Sequence, residues 1–128
     1  MKYLPVCEPL LDGNEKKYLA ECIDTGWISS EGPFVKRLES GFAERVGRRH
    51  AVAVSNGSNA LEVAMACLDL PRGSEVIVPD FTIISCVHAI VRNGLVPVFV
   101  DADPVTWNMD VSDLRARLSE RTRAILMV

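Results

Sequence analysis

Short, largely apolar runs alternate with helical segments through the second half of this chain, and that alternation constrains the fold most. The runs are 51–55 (AVAVS), 75–79 (EVIVP), 96–100 (VPVFV) and 122–128 (TRAILMV). Runs without an apolar/polar alternation suit strands covered on both faces. Between them lie segments with helical spacing: Ser58–Leu70, Thr82–Asn93 and Val111–Leu118. Pro71-Arg72-Gly73 reads as a turn, Gly94 as a helix stop, Asp101 to Met109 as a polar loop and Asp110 as a helix cap. The pattern predicts an α/β domain on a mostly parallel sheet with flanking helices.

The first alternation holds the most informative turn. After Ala51–Ser55, the turn formers Asn56-Gly57-Ser58-Asn59 intervene, and then Leu61, Ala64, Met65 and Leu68 fall on one helical face. The first amides of such a helix have no partner inside it, and its dipole favours an anion. Gly57 leaves room for a bulky oxyanion at the backbone, and Ser58 and Asn59 add side-chain donors. A phosphate cradle is one reading, and a well-capped helix is the other, since Ser and Asn are good N-caps.

Residues 1–50 are organised differently. Pro5 and Pro9 make residues 1–11 an extended arm. Asp12, with Glu15 three positions on, is the expected cap of a helix striped by Tyr18, Leu19, Cys22 and Ile23 and stopped at Gly26. After a connector from Trp27 to Glu31, Pro33 opens a second helix with Val35, Leu38 and Phe42 on one face, ended by Gly47. This divides the chain into an N-terminal arm with two helices, 1–50, and an α/β segment, 51–128. The chain stops inside or at the end of a strand, so a truncated domain is expected.

Several classes of function lose support. The net charge of −3 over 128 residues, with no basic block, gives no case for nucleic-acid or anionic-membrane binding. No stretch approaches the ~18 apolar residues of a membrane span. The N-terminus, broken by Pro5, Glu8 and Pro9, does not read as a signal peptide. Cys7, Cys22, Cys67 and Cys86 show no zinc spacing. Cys22, Cys67 and Cys86 sit in apolar patterns as expected reduced core residues, which suits a cytoplasmic protein. GxGxxG, GxxxxGK[ST] and GxSxG are missing.

Ligands in open α/β sheets collect at the carboxyl ends of strands. Those ends are Asn56–Asn59, Pro79-Asp80-Phe81-Thr82 with Thr82 as the candidate cap of the next helix, and Asp101-Ala102-Asp103. No third acidic partner joins Asp101 and Asp103, so loop and capping roles are expected of them and no metal. His88, mid-helix among apolar residues, reads as structural.

At these spacings the motifs become recognisable. VSNGSNALEVAM, GSEVIVPDFTIIS, GLVPVFVDADPVTWNMD and TRAILMV, in that order, resemble the first part of the DegT/DnrJ/EryC1/StrS sugar aminotransferases. The N-terminal KYLPVCEPLLDGNEKKYLAECIDTGWISSEGPFVKRLE resembles the perosamine-forming branch, which moves an amino group from glutamate to C4 of GDP-4-keto-6-deoxymannose. The resemblance implies a partial large domain of the aspartate aminotransferase fold (fold type I), preceded by an N-terminal helical segment. It implies pyridoxal 5'-phosphate as cofactor, a sugar nucleotide and glutamate as substrates, and a homodimer. By resemblance, the amides of Gly57, Ser58 and Asn59 bind the cofactor phosphate. Ile83 stands where many members carry an aromatic residue against the pyridine ring, and Trp27 and Ser29 fall in a segment near the active-site mouth. The family's aspartate for the pyridine nitrogen and its cofactor-bonding lysine match no position here. The lysines are Lys2, Lys16, Lys17 and Lys36, all before the turn. The chain alone is therefore expected to be catalytically inactive. The alternative is a non-catalytic remnant that binds a phosphorylated ligand or serves as an interaction subunit.

Overall fold

A computed structural model describes residues 3–128. The chain divides into two units, with the boundary between Ala53 and Val54.

The first unit is helical. α1 (Glu15–Thr25) and α2 (Pro33–Arg45) form where expected. Gly26 closes α1 in the left-handed region at φ +74°, and Pro33 opens α2. The cap of α1 differs from expectation. Asn14, not Asp12, is the N-cap residue and makes no side-chain cap bond, while the Glu15 carboxylate accepts from the Gly13 amide at 2.9 Å. A carboxylate so close in sequence satisfies the amide just outside the helix, so Asp12 is not required there. Tyr18 and Phe34 join the two helices with ring centroids 5.0 Å apart, and the Arg37 guanidinium lies over both. The stripes are otherwise uncovered: Leu19, Ile23, Leu38 and Phe42 are exposed, and Ala43 is buried.

One expected strand does not form. Ala51–Ser55 carries no strand pairing. A strand exists only through a ladder, and the Ala53 amide donates instead to the Glu39 carboxylate at 2.9 Å.

The second unit holds a three-stranded parallel sheet in the order β2-β1-β3. β1 is Glu75–Pro79, β2 Val96–Val100 and β3 Thr122–Ile125. α3 (Gly57–Cys67) precedes β1, α4 (Ile84–Arg92) joins β1 to β2, and α5 (Val111–Arg117) joins β2 to β3. Every residue of β1 is buried, because β1 alone has neighbours on both sides. β2 and β3 are edges and only half covered. Val76, Val78 and Leu126 pack with Met65 of α3, with Cys86, Ala89 and Ile90 of α4, and with Leu95. Ile77 points away from that cluster along the strand's alternation and is fully buried.

The helices are shorter than their sequence patterns. α3 ends at Cys67, with Leu68 as C-cap and Asp69 at φ +47°, so Leu70 lies outside it. Cys67 is exposed, contrary to its expected core place, whereas Cys86 is buried and Cys22 half-buried. α4 begins at Ile84, because its N-cap is Ile83 rather than Thr82. α5 ends at Arg117, since Leu118 turns to extended backbone. Asp110 caps α5 as expected, accepting from the Ser112 and Asp113 amides. No described helix is long and apolar enough to cross a membrane.

Candidate functional site: the paired starts of α3 and α4

The 56–59 turn is built by side chains that fold back on it. Asn56 sits in extended backbone at φ −165°, and its Oδ1 accepts from the Asn59 amide at 2.9 Å. Asn59 Nδ2 donates to Ser55 Oγ at 2.7 Å. The Asn59 amide is therefore taken by the cap. The Gly57 and Ser58 amides donate to no protein acceptor among the described residues. Nothing lies within 4 Å of where a Gly57 side chain would start, so the backbone there is open to an incoming group.

The start of α4 lies beside this turn. Ser58 Oγ and Ser85 Oγ are 2.8 Å apart, joining the first turns of the two helices. The two helices differ in their caps. Ile83, the N-cap residue of α4, supplies no cap bond and is 67% exposed, although Ile is among the poorest residues for that position. The Ile84 and Ser85 amides also donate to no protein acceptor among the described residues. Thr82 has turned inward, its hydroxyl donating to Cys86 Sγ at 3.3 Å.

A cavity of about 540 Å3 lies among residues 54–55, α3 and the end of α4 and includes Ser55, Asn59, Val63, Arg92 and Asn93. Glu62 and Arg92 form an ion pair at 2.8 Å on its wall. Another hollow, at the carboxyl ends of β1 and β2, lies among Asp80, Phe81, Asp101, Ala102 and Trp107. There Phe81 and Trp107 meet with centroids 5.1 Å apart, and Trp107 is left-handed at φ +62°.

The acidic residues near that end serve the backbone. Asp103 accepts from the Val105 and Thr106 amides and the Thr106 hydroxyl, and Asp101 accepts from the Ala102 amide. The Thr106 amide bond is the main cause holding the Asp103 carboxyl below its ordinary range. The Ser112 hydroxyl does the same for Asp110. The Asp101 amide, then Arg117, do so for Asp113.

Of the residues singled out by sequence, Gly57, Ser58 and Asn59 stand at the start of α3, and Ile83 at the start of α4. Trp27 and Ser29 belong to the first unit. Trp27 lies against Gly32 and lines a hollow with Glu31, Pro33 and Lys36, and Ser29 donates to the Glu31 carbonyl at 3.2 Å. His88 is exposed on α4. Sequence reasoning missed Ser85. Its signal was available: a Ser two positions after an apolar N-cap, in a helix otherwise devoid of capping residues.

A family model for the DegT/DnrJ/EryC1/StrS aminotransferases matches residues 9–128. The chain belongs to that family. Among curated relatives it is 46% identical over 128 residues to GDP-perosamine synthase of Escherichia coli O157:H7, covering 100% of this chain and 35% of that protein. It is 45% identical over 125 residues to GDP-perosamine synthase of Vibrio cholerae, covering 98% and 34%. Among solved structures, E. coli GDP-4-keto-6-deoxy-D-mannose-3-dehydratase with bound hydrated PLP superposes with a TM-score of 0.87 at 32% identity, covering 99% of this chain and 34% of that one. The chain thus spans about a third of the length of the relatives it matches. Its second unit is part of the α/β domain of fold type I aminotransferases, as the alternating pattern and the resemblance led one to expect.

Proposed function

We propose that this chain supplies the phosphate-gripping part of a pyridoxal-phosphate-dependent aminotransferase acting on a nucleotide sugar, specifically one that moves an amino group from glutamate to C4 of a GDP-4-keto-6-deoxyhexose. The observation that supports it most is the open start of α3, where the Gly57 and Ser58 amides have no acceptor among the described residues and a side chain at Gly57 would meet nothing within 4 Å. The donor set fits a phosphate ester: the Gly57 and Ser58 amides and the Ser58 hydroxyl stand at one helix N-terminus, where a dianion is favoured. Asn59 shapes the turn through Asn56 and Ser55. Ile83 offers an aliphatic face to a flat ring, without the roughly 0.5–1.5 kcal/mol that an aromatic pair adds.

When bound, pyridoxal phosphate supplies the electron sink for transamination. The residues of this chain bind and orient it. By resemblance, the family's cofactor-bonding lysine matches none of Lys2, Lys16, Lys17 and Lys36, which all precede the 56–59 turn in the sequence. The 128-residue chain on its own is therefore expected to show no glutamate-dependent amination. The GDP sugar is inferred from the perosamine synthases named above, and Trp27 and Ser29 are proposed as substrate-binding residues by resemblance alone. The complete enzyme is proposed to be a cytoplasmic homodimer.

Reading the coding DNA past Val128 tests this directly. Continuation into an aspartate and a lysine in family context is expected. A stop codon there favours a non-catalytic, ligand-binding remnant. With a continuing chain in hand, a panel of keto-sugar nucleotides assayed with glutamate should select the GDP-linked 4-keto sugar.

A further inference from the structure

We infer that Ser85 is a positioning residue for the phosphate group, acting through the hydroxyl of Ser58. The inference rests on the proposed cofactor site and goes beyond it, since Ser85 lies on the neighbouring helix rather than in the phosphate turn. Three observations converge on it. Ser58 Oγ and Ser85 Oγ lie 2.8 Å apart, a hydrogen bond between two groups that can each donate only one proton. α3 has an internal cap from Asn56, whereas α4 has none. And the N-cap position of α4 is held by Ile83, a residue that leaves the first amides of α4 without a side-chain acceptor. Departures from local rules of this kind concentrate at functional or strained sites.

The hydroxyl pair has a direction once an anion is present. If Ser58 donated to Ser85, its only proton would be consumed and it would face the anion with lone pairs. With Ser85 donating to Ser58, the Ser58 proton is free to point at a phosphoryl oxygen. The Ser58 oxygen, polarised by the bond it accepts, becomes the stronger donor. The anion's charge selects this second arrangement. Ser85 thereby fixes a rotor that in an isolated serine would be free, and brings the start of α4 to the same phosphate as the start of α3.

The test compares a ligand with and without the phosphate. Dissociation constants for pyridoxal phosphate and for pyridoxal are measured by equilibrium dialysis on the wild-type chain, Ser85→Ala and Ser85→Thr. Loss of one positioned hydrogen bond should weaken pyridoxal phosphate about five-fold in Ser85→Ala. Pyridoxal binding should be unchanged, and Ser85→Thr should restore the phosphate ester to within two-fold (roughly half a neutral hydrogen bond). The 31P resonance of the bound ester should move in Ser85→Ala and return in Ser85→Thr. Equal weakening of both ligands in Ser85→Ala would mean a merely structural role, and no weakening of either would mean no role; each overturns the inference. If wild type binds both ligands equally, the phosphate cradle itself fails, and the role of Ser85 with it.

Discussion

The two ends of the sheet in the second unit are finished in opposite ways. At the amino end, charge is buried and paired. Glu75 is only 5% exposed, accepts from Ser119 Oγ at 2.5 Å and forms an ion pair with Arg121. Gly73 and Gly94 are both left-handed and bonded to each other through the Gly73 amide at 2.9 Å, with the Arg72 guanidinium pressed on Gly94. At the carboxyl end the opposite holds. Phe81, Ile83 and Ile84 are exposed, the α4 cap is an isoleucine without a cap bond, and a side chain at Gly57 would meet nothing within 4 Å. One end is closed by the chain's own contacts, and the other leaves apolar side chains and helix starts uncovered. That division is the expected one for an α/β fold, whose ligands gather at strand carboxyl ends.

Mutations should separate the two ends. The largest effect belongs to the packed sheet: Ile77→Ala, at 0% exposure, should cost about 2–5 kcal/mol in denaturant unfolding. Gly94→Ala comes next. The residue is at φ +72°, and a Cβ would lie 2.8 Å from Arg72 Cζ. Left-handed backbone alone costs an L residue about 1–2 kcal/mol, so the midpoint should fall without any change in phosphate-ester binding. Ile83→Asn should act in the reverse sense. It gives α4 a good N-cap and should raise stability by about 1 kcal/mol while weakening pyridoxal phosphate binding. A gain in both quantities would erase the distinction drawn between the two ends.

The smallest effect is acid-dependent. Asp103, Asp110 and Asp113 are held below their ordinary value of 3.8 by hydrogen bonds made only in the folded chain. Between the lowered folded values and 3.8 the unfolded chain binds more protons, so stability there rises with pH. Their contribution is complete above 3.8 and is lost as pH falls below it. Hydrogen exchange should show the Thr106 and Ser112 amides losing protection in that acid range before the amides of β1 do.

Much of this was legible in the residues, for reasons that differ by element. β1 and β2 form over the runs read from sequence, since EVIVP and VPVFV suit a covered sheet. Gly26 and Asp110 could be placed because capping chemistry is local. Ala51–Ser55 could not be judged locally. Its pattern suits a strand, but strands require partners, and the Ala53 amide is bonded to Glu39 instead. Of the candidate site, the 56–59 turn was visible because Asn-Gly-Ser-Asn announces a turn before a helix. What was invisible was which amides the turn spends on itself: Asn59 gives its own to Asn56, leaving two. Ser85 was hidden for a related reason, since its meeting with Ser58 is set by how α3 and α4 pack on one sheet and not by any spacing along the chain.

The most direct test follows the amides themselves. In 15N-resolved spectra of the chain, added pyridoxal phosphate should shift the Gly57 and Ser58 resonances most, with Ser85 close behind and Asn59 little changed, and pyridoxal should not reproduce the pattern. Shifts centred elsewhere, or the same shifts with both ligands, would contradict the phosphate grip on which the functional assignment rests.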